Sequence, residues 1–326
     1  MQFFGQPPAN QYGSAGAYYG GAGPALTTLS DVVPQLKTGS FLRGQRRRLN
    51  ACPLLLCLLV PWALFTVMYV VTSFELHYEQ PSLCNLLVAL GFLAVVGVGG
   101  LAVSTRVKWL SNADHEPTWL FFLAITMFLA WVLGMALGTE NYSANMRPYY
   151  DMNNLNEYGD VSVKSMRGQQ LMDAGIVDFA NGTKLDITKS MGFKSNTVYC
   201  VAPITMGTEK LPTYDFWAVG TGCCSGSQAD FHCAGWNAPK AHGGLRLMSD
   251  GSRAFYRLAV QQAEAAYKIK AVHPLFFSWV DDAHSRVESW RTKGKSECVM
   301  WVLGYFILQC FLVGIATLVF AKFGYF

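Results

Sequence analysis

One uncharged apolar run, CPLLLCLLVPWALFTVMYVVTSF at Cys52–Phe74, sets the class of the fold. Three further runs of the same kind follow at Cys84–Ser104, Thr118–Gly138 and Val299–Phe320. Each run is long enough to cross a hydrocarbon core of about 30 Å, which takes roughly 20 helical residues. The sequence therefore predicts an α-helical membrane protein with a bundle of four transmembrane helices.

The composition agrees with burial in a lipid bilayer. Charged residues make up 14% of the 326-residue chain, whereas soluble domains carry about 25%. Lysine and arginine together number 25, against 21 acidic residues, so the chain has no strong excess of positive charge. These values exclude a cytosolic enzyme, a secreted domain and a nucleic-acid-binding protein as interpretations of the whole chain.

The charges beside the first run predict the orientation of the chain. The Arg43–Arg48 cluster precedes this run, and the short segment after it carries Glu75 and Glu79. Because positively charged flanks stay in the cytosol, both termini are expected there and residues 139–297 outside. The basic residues at 291–295 argue against this orientation, but long loops translocate largely regardless of their charge. The expected location is the plasma membrane or the secretory and endomembrane system.

Four segments are expected along the chain. Residues 1–50 are polar and rich in Gly, Ala and Tyr, without the apolar core of a signal peptide, and predict a disordered cytosolic tail. Residues 51–138 hold the first three helices, and residues 139–297 are long enough to form an extracellular or lumenal domain. Residues 298–326 hold the fourth helix and a short cytosolic tail. Cys52 is a candidate for S-palmitoylation, although a plain buried cysteine fits as well.

The long loop is predicted to be an α+β domain. Ile176–Phe179 and Thr183–Ile187 flank Asn181-Gly182, a pair typical of a type I′ turn, and so predict a β-hairpin. Apolar residues recur at helical spacing over Phe255–Ile269 and predict a helix. Two further strands are predicted, at Thr197–Val201, where Pro203 would end the strand, and at Tyr214–Val219. A second helix is predicted at Leu275–Arg291.

Two N-glycosylation sequons lie in the same loop, at Asn141-Tyr-Ser143 and Asn181-Gly-Thr183. A glycosylated asparagine lies on a surface that faces the secretory lumen. Asn141 is within a few residues of the third helix and therefore close to the bilayer. Asn181 is the better candidate of the two.

Cysteine usage predicts disulfides in the outer domain. Six of the nine cysteines lie on the predicted outer side, and an oxidising compartment would pair them. Cys84 and Cys298 open the second and fourth helices at a similar depth and are a plausible pair. The adjacent Cys223 and Cys224 are expected to reach separate partners. The candidates are Cys84, Cys200, Cys223, Cys224, Cys233 and Cys298.

Zinc binding and nucleophilic catalysis are the alternatives for this cysteine cluster. Cys223, Cys224, His232 and Cys233 are ligand types that zinc takes, but adjacent ligands and the absence of two-residue gaps disfavour a zinc site. A cysteine nucleophile with His232 or His242 as its base would need a further positioned group, which the sequence does not supply. No metal, cofactor or enzymatic activity is expected.

The order of these segments resembles that of a tetraspanin. The matching element is Cys223-Cys224-Ser225-Gly226, and Cys298 resembles the cysteine that closes the large loop before the fourth helix. The resemblance implies a four-helix topology with one large outer loop. The runs at Tyr199–Ile204 and Tyr214–Gly220 resemble signatures of an uncharacterised membrane family of single-celled eukaryotes, which implies no activity.

Small and polar residues predict how the helices pack. The second run carries Gly91, Gly97, Gly99 and Gly100, which would let a neighbouring helix approach closely. Gln309 is expected to form a hydrogen bond between helices. The four runs contain no ionisable Asp, Glu, Lys, Arg or His, which disfavours ion-coupled transport.

The expected function is that of an integral membrane scaffold, assembly or adhesion protein. Its disulfide-bonded outer domain would bind other membrane or extracellular proteins, or a second copy of the chain. The alternative is a subunit of a channel or transporter, which would need more polar residues in the bundle. An enzyme in the outer domain is disfavoured because no set of nucleophile, base and orienting group can be assembled.

Overall fold

The computed structural model contains four long apolar helices, with a sheet domain inserted between the third and the fourth. It describes residues 51–111, 118–207 and 210–323. The predicted cytosolic tail at residues 1–50 lies outside the described residues, and so does the Arg43–Arg48 cluster. The helices are α1 Ala51–Ser73, α2 Glu75–Glu79, α3 Pro81–Ser111, α4 Thr118–Asn141, α5 Arg147–Asn153, α6 Asp250–Tyr267 and α7 Ala283–Phe323.

The prediction of four long apolar helices is confirmed. Helices α1, α3, α4 and α7 are each long and apolar enough to cross a membrane. Two of them extend well beyond the predicted limits. Helix α4 continues through a single π-helical turn at Tyr142–Met146 into α5, and α7 is one continuous helix of 41 residues that begins inside the sheet domain.

Helices α1 and α4 form the closest pair in the bundle because small residues line the contact. Ala130, Gly134 and Gly138 recur every fourth residue on α4 and are all buried. A Cβ atom added to Gly134 would lie 2.9 Å from the carbonyl oxygen of Phe65, and one added to Gly138 would lie 2.8 Å from that of Tyr69. The two backbones therefore touch, as in other small-xxx-small helix pairs.

The predicted role of the α3 glycines is correct for one of them and wrong for the others. A Cβ atom on Gly91 would lie 2.9 Å from the sulfur of Met68. In contrast, Cβ atoms on Gly97, Gly99 and Gly100 would have no described atom of a neighbouring helix within 4 Å. The reason is that α3 lies at the side of the bundle and is held near Gly91, where Trp131 Nε1 donates to a carbonyl 3.0 Å away on α3.

Helix α7 packs against α1 through aromatic rings and one buried amide. The rings of Tyr305 and Phe65 stack with centroids 4.2 Å apart. Trp62 Nε1 donates to the carbonyl oxygen of Val302 at 3.2 Å. The amide of Gln309 is fully buried and donates to the carbonyl oxygen of Cys57 at 2.6 Å, so the expected interhelical hydrogen bond is present.

The sheet domain is built on one mixed sheet of eight strands in the order β1-β2-β7-β8-β6-β5-β3, with β4 also paired to β5. The pairs β1–β2 and β6–β8 are parallel and the others antiparallel. Helix α6 packs against β4 and β5, while α5 and the first turns of α7 contact β2. The strands are β1 Asn156–Val161, β2 Ala174–Phe179, β3 Thr183–Leu185, β4 Met191–Ser195, β5 Thr197–Met206, β6 Phe216–Thr221, β7 Gly243–Arg246 and β8 Leu275–Val280.

Three predictions about this domain are corrected. The two strands around Asn181-Gly182 exist but form no hairpin, because β2 pairs with β1 and β7 while β3 pairs with β5. Strand β5 does not end at Pro203 but runs through it. On one side of this strand, the residues up to Val201 pair with β4 and those from Ile204 onwards pair with β3, so Pro203 lies between the two partners. A proline is tolerated where the ladder changes partner. The predicted helix over Leu275–Arg291 is a strand followed by a helix.

Strand β8 does not show the alternation of a strand with one exposed face, because side chains on both of its faces are buried or half-buried apart from Ser278. It lies between β6 and β7, and Leu275, Phe276, Phe277 and Trp279 are all buried. A strand that is buried on both faces shows an unbroken apolar run instead of alternation, which short helices also show.

A buried polar junction joins the bundle to the sheet domain. Asn141, at the end of α4, donates to Ser73 Oγ at 2.5 Å and to the carbonyl oxygen of Gly294 at 3.1 Å. Asn145 donates to Asn141 Oδ1 at 2.9 Å and to Glu297 Oε2 at 3.0 Å. This junction therefore ties together α1, α4 and α7 where the last two continue towards the sheet.

The contact between α1 and α4 yields a test with an internal control. Gly138→Ala should lower the thermal stability of the purified protein in detergent, because the new methyl group meets the α1 backbone; about 1–3 kcal/mol is the usual effect of overpacking. Gly97→Ala should leave stability unchanged or raise it by up to about 1 kcal/mol, since alanine is the better helix former and the site is open. Equal effects of the two changes would contradict the described packing.

Candidate functional site

An open groove of about 970 Å³ lies on the face of the sheet that α5 and α7 cover. It is bounded by the ends of β6 and β8, by the first two turns of α7 and by the loop after β6. Its lining combines aromatic side chains with carboxylates and serines. The residues that matter below are Asp151, Ser278, Trp279, Asp281, Asp282, Ser289 and Trp290.

A small apolar cluster forms the closed side of this groove. Ile176 of β2 and Leu245 of β7 pack against Met152 of α5 and Val287 of α7. The residue opposite Leu245 on β8 is Ser278, which is exposed and lines the open part. The sheet face therefore changes from apolar to polar where α7 stops covering it.

The start of α7 is fixed by a cap that also lines the groove. The Asp282 carboxylate accepts hydrogen bonds from Ser285 Oγ at 2.6 Å and from Ser285 N at 3.0 Å, as an N-cap residue does. These two bonds hold the pKa of Asp282 below its usual range, and the bond from the Ser285 side chain has the larger effect. One turn later, the Arg286 guanidinium lies 5.8 Å from the centre of the Trp290 ring.

Arg246, at the edge of the groove, is a cation without an acidic partner among the described residues. Its guanidinium lies 5.7 Å from the centre of the Phe277 ring, and its Nη1 atom is buried without a hydrogen bond. Burial lowers the pKa of Arg246, and repulsion from Arg253 lowers it further. Arg246 is next to Leu245, which points to the groove face, so alternation along the strand directs Arg246 to the opposite face.

The sheet domain holds two disulfides, and one of them forms part of the groove wall. Cys223 bonds to Cys233 and Cys200 bonds to Cys224. The first pair lines the groove, while Cys200 and Cys224 are both buried. The expectation that the adjacent Cys223 and Cys224 reach separate partners is confirmed.

The other two cysteine candidates are corrected, because Cys84 and Cys298 are free thiols. The thiol of Cys84 faces α1 and donates to the carbonyl oxygen of Val71 at 3.4 Å. Cys298 packs against the cluster that contains Phe65 and Tyr305. The two thiols thus lie in different helix contacts, Cys84 buried and Cys298 partly buried. The tetraspanin resemblance implied that Cys298 closes the loop, and in this structure it does not.

The loop between Cys223 and Cys233 is closed by hydrogen bonds as well as by sulfur. The amide of His232 donates to the carbonyl oxygen of Cys223 at 3.0 Å. The amide of Ser225 donates to both carboxylate oxygens of Asp230 at 3.0 Å, and these bonds to Ser225 lower the pKa of Asp230. His232 itself is exposed, and its Nδ1 lies 2.7 Å from the carbonyl oxygen of Asp230.

The alternatives for the cysteine cluster change accordingly. With Cys223, Cys224 and Cys233 all bonded to other sulfurs, the set proposed for zinc with His232 has no thiolate to offer in this oxidised form. His242 lies at the start of β7, where its Nδ1 is 2.6 Å from the carbonyl oxygen of Lys240. His232 therefore remains the candidate base beside the sulfurs.

The two sequons differ sharply in exposure. Asn141 is 1% exposed and makes the junction hydrogen bonds described above, so it cannot carry a glycan in the folded protein. Asn181 is exposed in the turn after β2. Cys52 is exposed at the start of α1, and its acylation stays a prediction.

The groove itself was not predicted. Apart from Asp151, its tryptophans and aspartates lie in Leu275–Arg291, for which the sequence predicts a single helix. One available signal was Asp282, because aspartate is a preferred residue at a helix N-cap. That signal would have placed the helix start after the apolar run and left the run free to be a strand.

Comparisons of the chain with protein-family models, with curated proteins and with solved structures find no match. The resemblance to tetraspanins therefore stays a prediction.

Proposed function

We propose that this chain is an integral membrane protein whose α1, α3, α4 and α7 cross a bilayer. The support is the number of large apolar side chains that point away from the bundle, such as Ile307 at 69% and Leu318 at 73% exposed. Water would penalise such a surface, whereas lipid tails would not. The sheet domain would lie outside, since its two disulfides favour an oxidising compartment.

We further propose that the protein is a membrane scaffold or assembly protein that binds a partner protein in the groove. The observation that carries this proposal is the groove of about 970 Å³ built directly on α7, which continues without a break into the bundle. A partner held there would be held at a fixed place relative to the membrane.

The lining of the groove suits a protein segment. Aromatic and arginine side chains dominate the binding energy of protein interfaces, and Trp290 and Arg286 lie together in the groove. The exposed Trp236 directly follows Gly235, which also lines the groove. Asp151, Asp281 and the exposed serines add polar groups at the rim. A loop or an extended peptide that carries both apolar and basic side chains would match this surface.

The bundle interior supports this function over that of a channel or transporter subunit. The centre of the α1–α7 contact is occupied by the stacked rings of Phe65 and Tyr305. Thr126 and Gln309, which are polar and buried, hydrogen-bond to backbone carbonyls of the described helices. A pore would need polar groups that face a continuous path.

The orientation is tested by glycosylation. If the sheet domain is outside, glycosidase should increase the gel mobility of the protein expressed in eukaryotic cells. Asn181→Gln should abolish this shift. Ser143→Ala, which destroys the other sequon but leaves Asn141 in place, should not change it. Protection of the loop from protease on the outer side would contradict the orientation.

The groove is tested by filling it. Ser289 is exposed and lines the groove, so Ser289→Trp should reduce the amount of partner protein that co-purifies in mild detergent. The matched control is Gln261→Trp on the exposed surface of α6, which should leave the yield of partner unchanged. Equal loss in both variants, or no stable partner of the wild-type protein, would contradict the proposal.

A further inference from the structure

The two disulfides of the sheet domain are stacked one behind the other. The sulfur of Cys200 and those of Cys223 and Cys233 all lie within 4.8 Å of one another. One pair lines the groove and the other is buried behind it. We propose that these four cysteines form a thiol–disulfide exchange site, which oxidises a pair of cysteine thiols on a peptide bound in the groove.

The sheet register explains how the sulfurs come together. Cys200 on β5 pairs directly with Gly220 on β6. A Cβ atom on Gly220 would lie 2.5 Å from the sulfur of Cys233 and 2.7 Å from that of Cys223. Only a residue without a side chain lets the disulfide between Cys223 and Cys233 lie against β6 beside Cys200. Gly220 on β6 thus allows the close contact between the two disulfides.

The disulfide between Cys223 and Cys233 is not the only bond that closes its loop. The nine intervening residues are also held by the bond from His232 N to the carbonyl oxygen of Cys223 and by those from Ser225 N to Asp230. Cys223 is half-buried at the groove wall, so a thiol in the groove can reach its sulfur. Accessible disulfides are the ones that exchange.

The first step is attack by a substrate thiolate on Cys223. The Nδ1–H of His232 donates to the carbonyl oxygen of Asp230, so in the neutral ring the Nε2 lone pair is available. This atom takes the proton of the incoming thiol. The new bond joins the substrate sulfur to Cys223, and the bond between Cys223 and Cys233 breaks, which leaves Cys233 as a thiolate.

The second step moves the exchange inwards. The Cys233 thiolate is within reach of Cys200, and a side-chain rotation closes the remaining distance. Attack on Cys200 forms a bond between Cys200 and Cys233 and releases Cys224 as a thiolate. The second substrate thiol then attacks its own mixed disulfide, forms the substrate disulfide and releases Cys223.

The electrons balance over these steps. The substrate dithiol loses two electrons and two protons, and the protein gains both. One of its two disulfides is replaced by a dithiol at the adjacent Cys223 and Cys224. The remaining bridge is between Cys200 and Cys233. This exchange of partners distinguishes the proposed site from two independent structural disulfides.

The test uses the purified full-length protein in detergent and dithiothreitol as the dithiol. Dithiothreitol is added to reduce one disulfide per chain, free thiols are alkylated, and the bridges are mapped by mass spectrometry. The expected products are alkylated Cys223 and Cys224 with a new link between Cys200 and Cys233. An intact link between Cys200 and Cys224, with alkylated Cys223 and Cys233, would overturn the proposal. Resistance of both pairs, or a zinc ion bound by the isolated protein, would also overturn it.

The pH dependence of the exchange rate tests whether His232 acts as a base, because a purely structural effect of His232 would not change with pH. His232→Gln should slow the reaction with dithiothreitol at pH 7 by up to about 30-fold, because a thiol with a pKa near 8.5 is only slightly ionised there. The difference should vanish above pH 9, where the solvent ionises the thiol. A pH-independent effect, or none, would remove His232 from the mechanism.

The choice of a peptide as substrate rests on the proposed binding in the groove, but the two proposals are tested by separate measurements. The exchange is measured on the isolated protein with a small dithiol, whereas the scaffold proposal depends on capture of a protein in the groove. A failed exchange with dithiothreitol and a failed capture of a protein in the groove are therefore distinguishable results.

Discussion

The arrangement of the helix bundle and the sheet domain depends on the buried side chain of Asn141. Its amide bonds the end of α1 through Ser73 and the middle of α7 through the carbonyl oxygen of Gly294. An unpaired buried amide costs about 1–3 kcal/mol, so α7 is held where these partners meet. A Cβ atom on Gly294 would lie 2.5 Å from the sulfur of Met146, so the glycine leaves room for this buried side chain against α7.

The junction matters because α7 belongs to both parts of the molecule. Its first turns cap the apolar side of the groove through Ala283 and Val287, and its last turns pack in the bundle through Tyr305 and Gln309. A long helix has one axis, so fixing it at Gly294 fixes the sheet relative to the bundle. A scaffold needs such a rigid connection, and the exchange site at the groove wall would be held in a defined place by the same helix.

The long helices could be predicted from the sequence because length and apolarity alone determine them. The separate partners of Cys223 and Cys224 followed from the geometry of adjacent residues. The rest depends on which neighbours a residue meets. Gly134 and Gly97 are alike in sequence, but only the first faces another backbone. Strand β8 shows no clear alternation because most of its side chains are buried on both faces of the sheet. The groove could not be predicted from the sequence because the apolar pattern does not show where this strand ends and α7 begins.

Hydrogen–deuterium exchange of the amides in residues 139–146 and 291–297 tests the central claim most directly. In the wild-type protein these amides should be as protected as those in the middle of the bundle. Asn141→Ala should speed their exchange, since it removes the hydrogen bonds that Asn141 makes with Ser73, Asn145 and the carbonyl oxygen of Gly294, while Ser143→Ala should have no effect. Fast exchange in the wild-type protein, or exchange unchanged by Asn141→Ala, would contradict a junction that holds the two parts together.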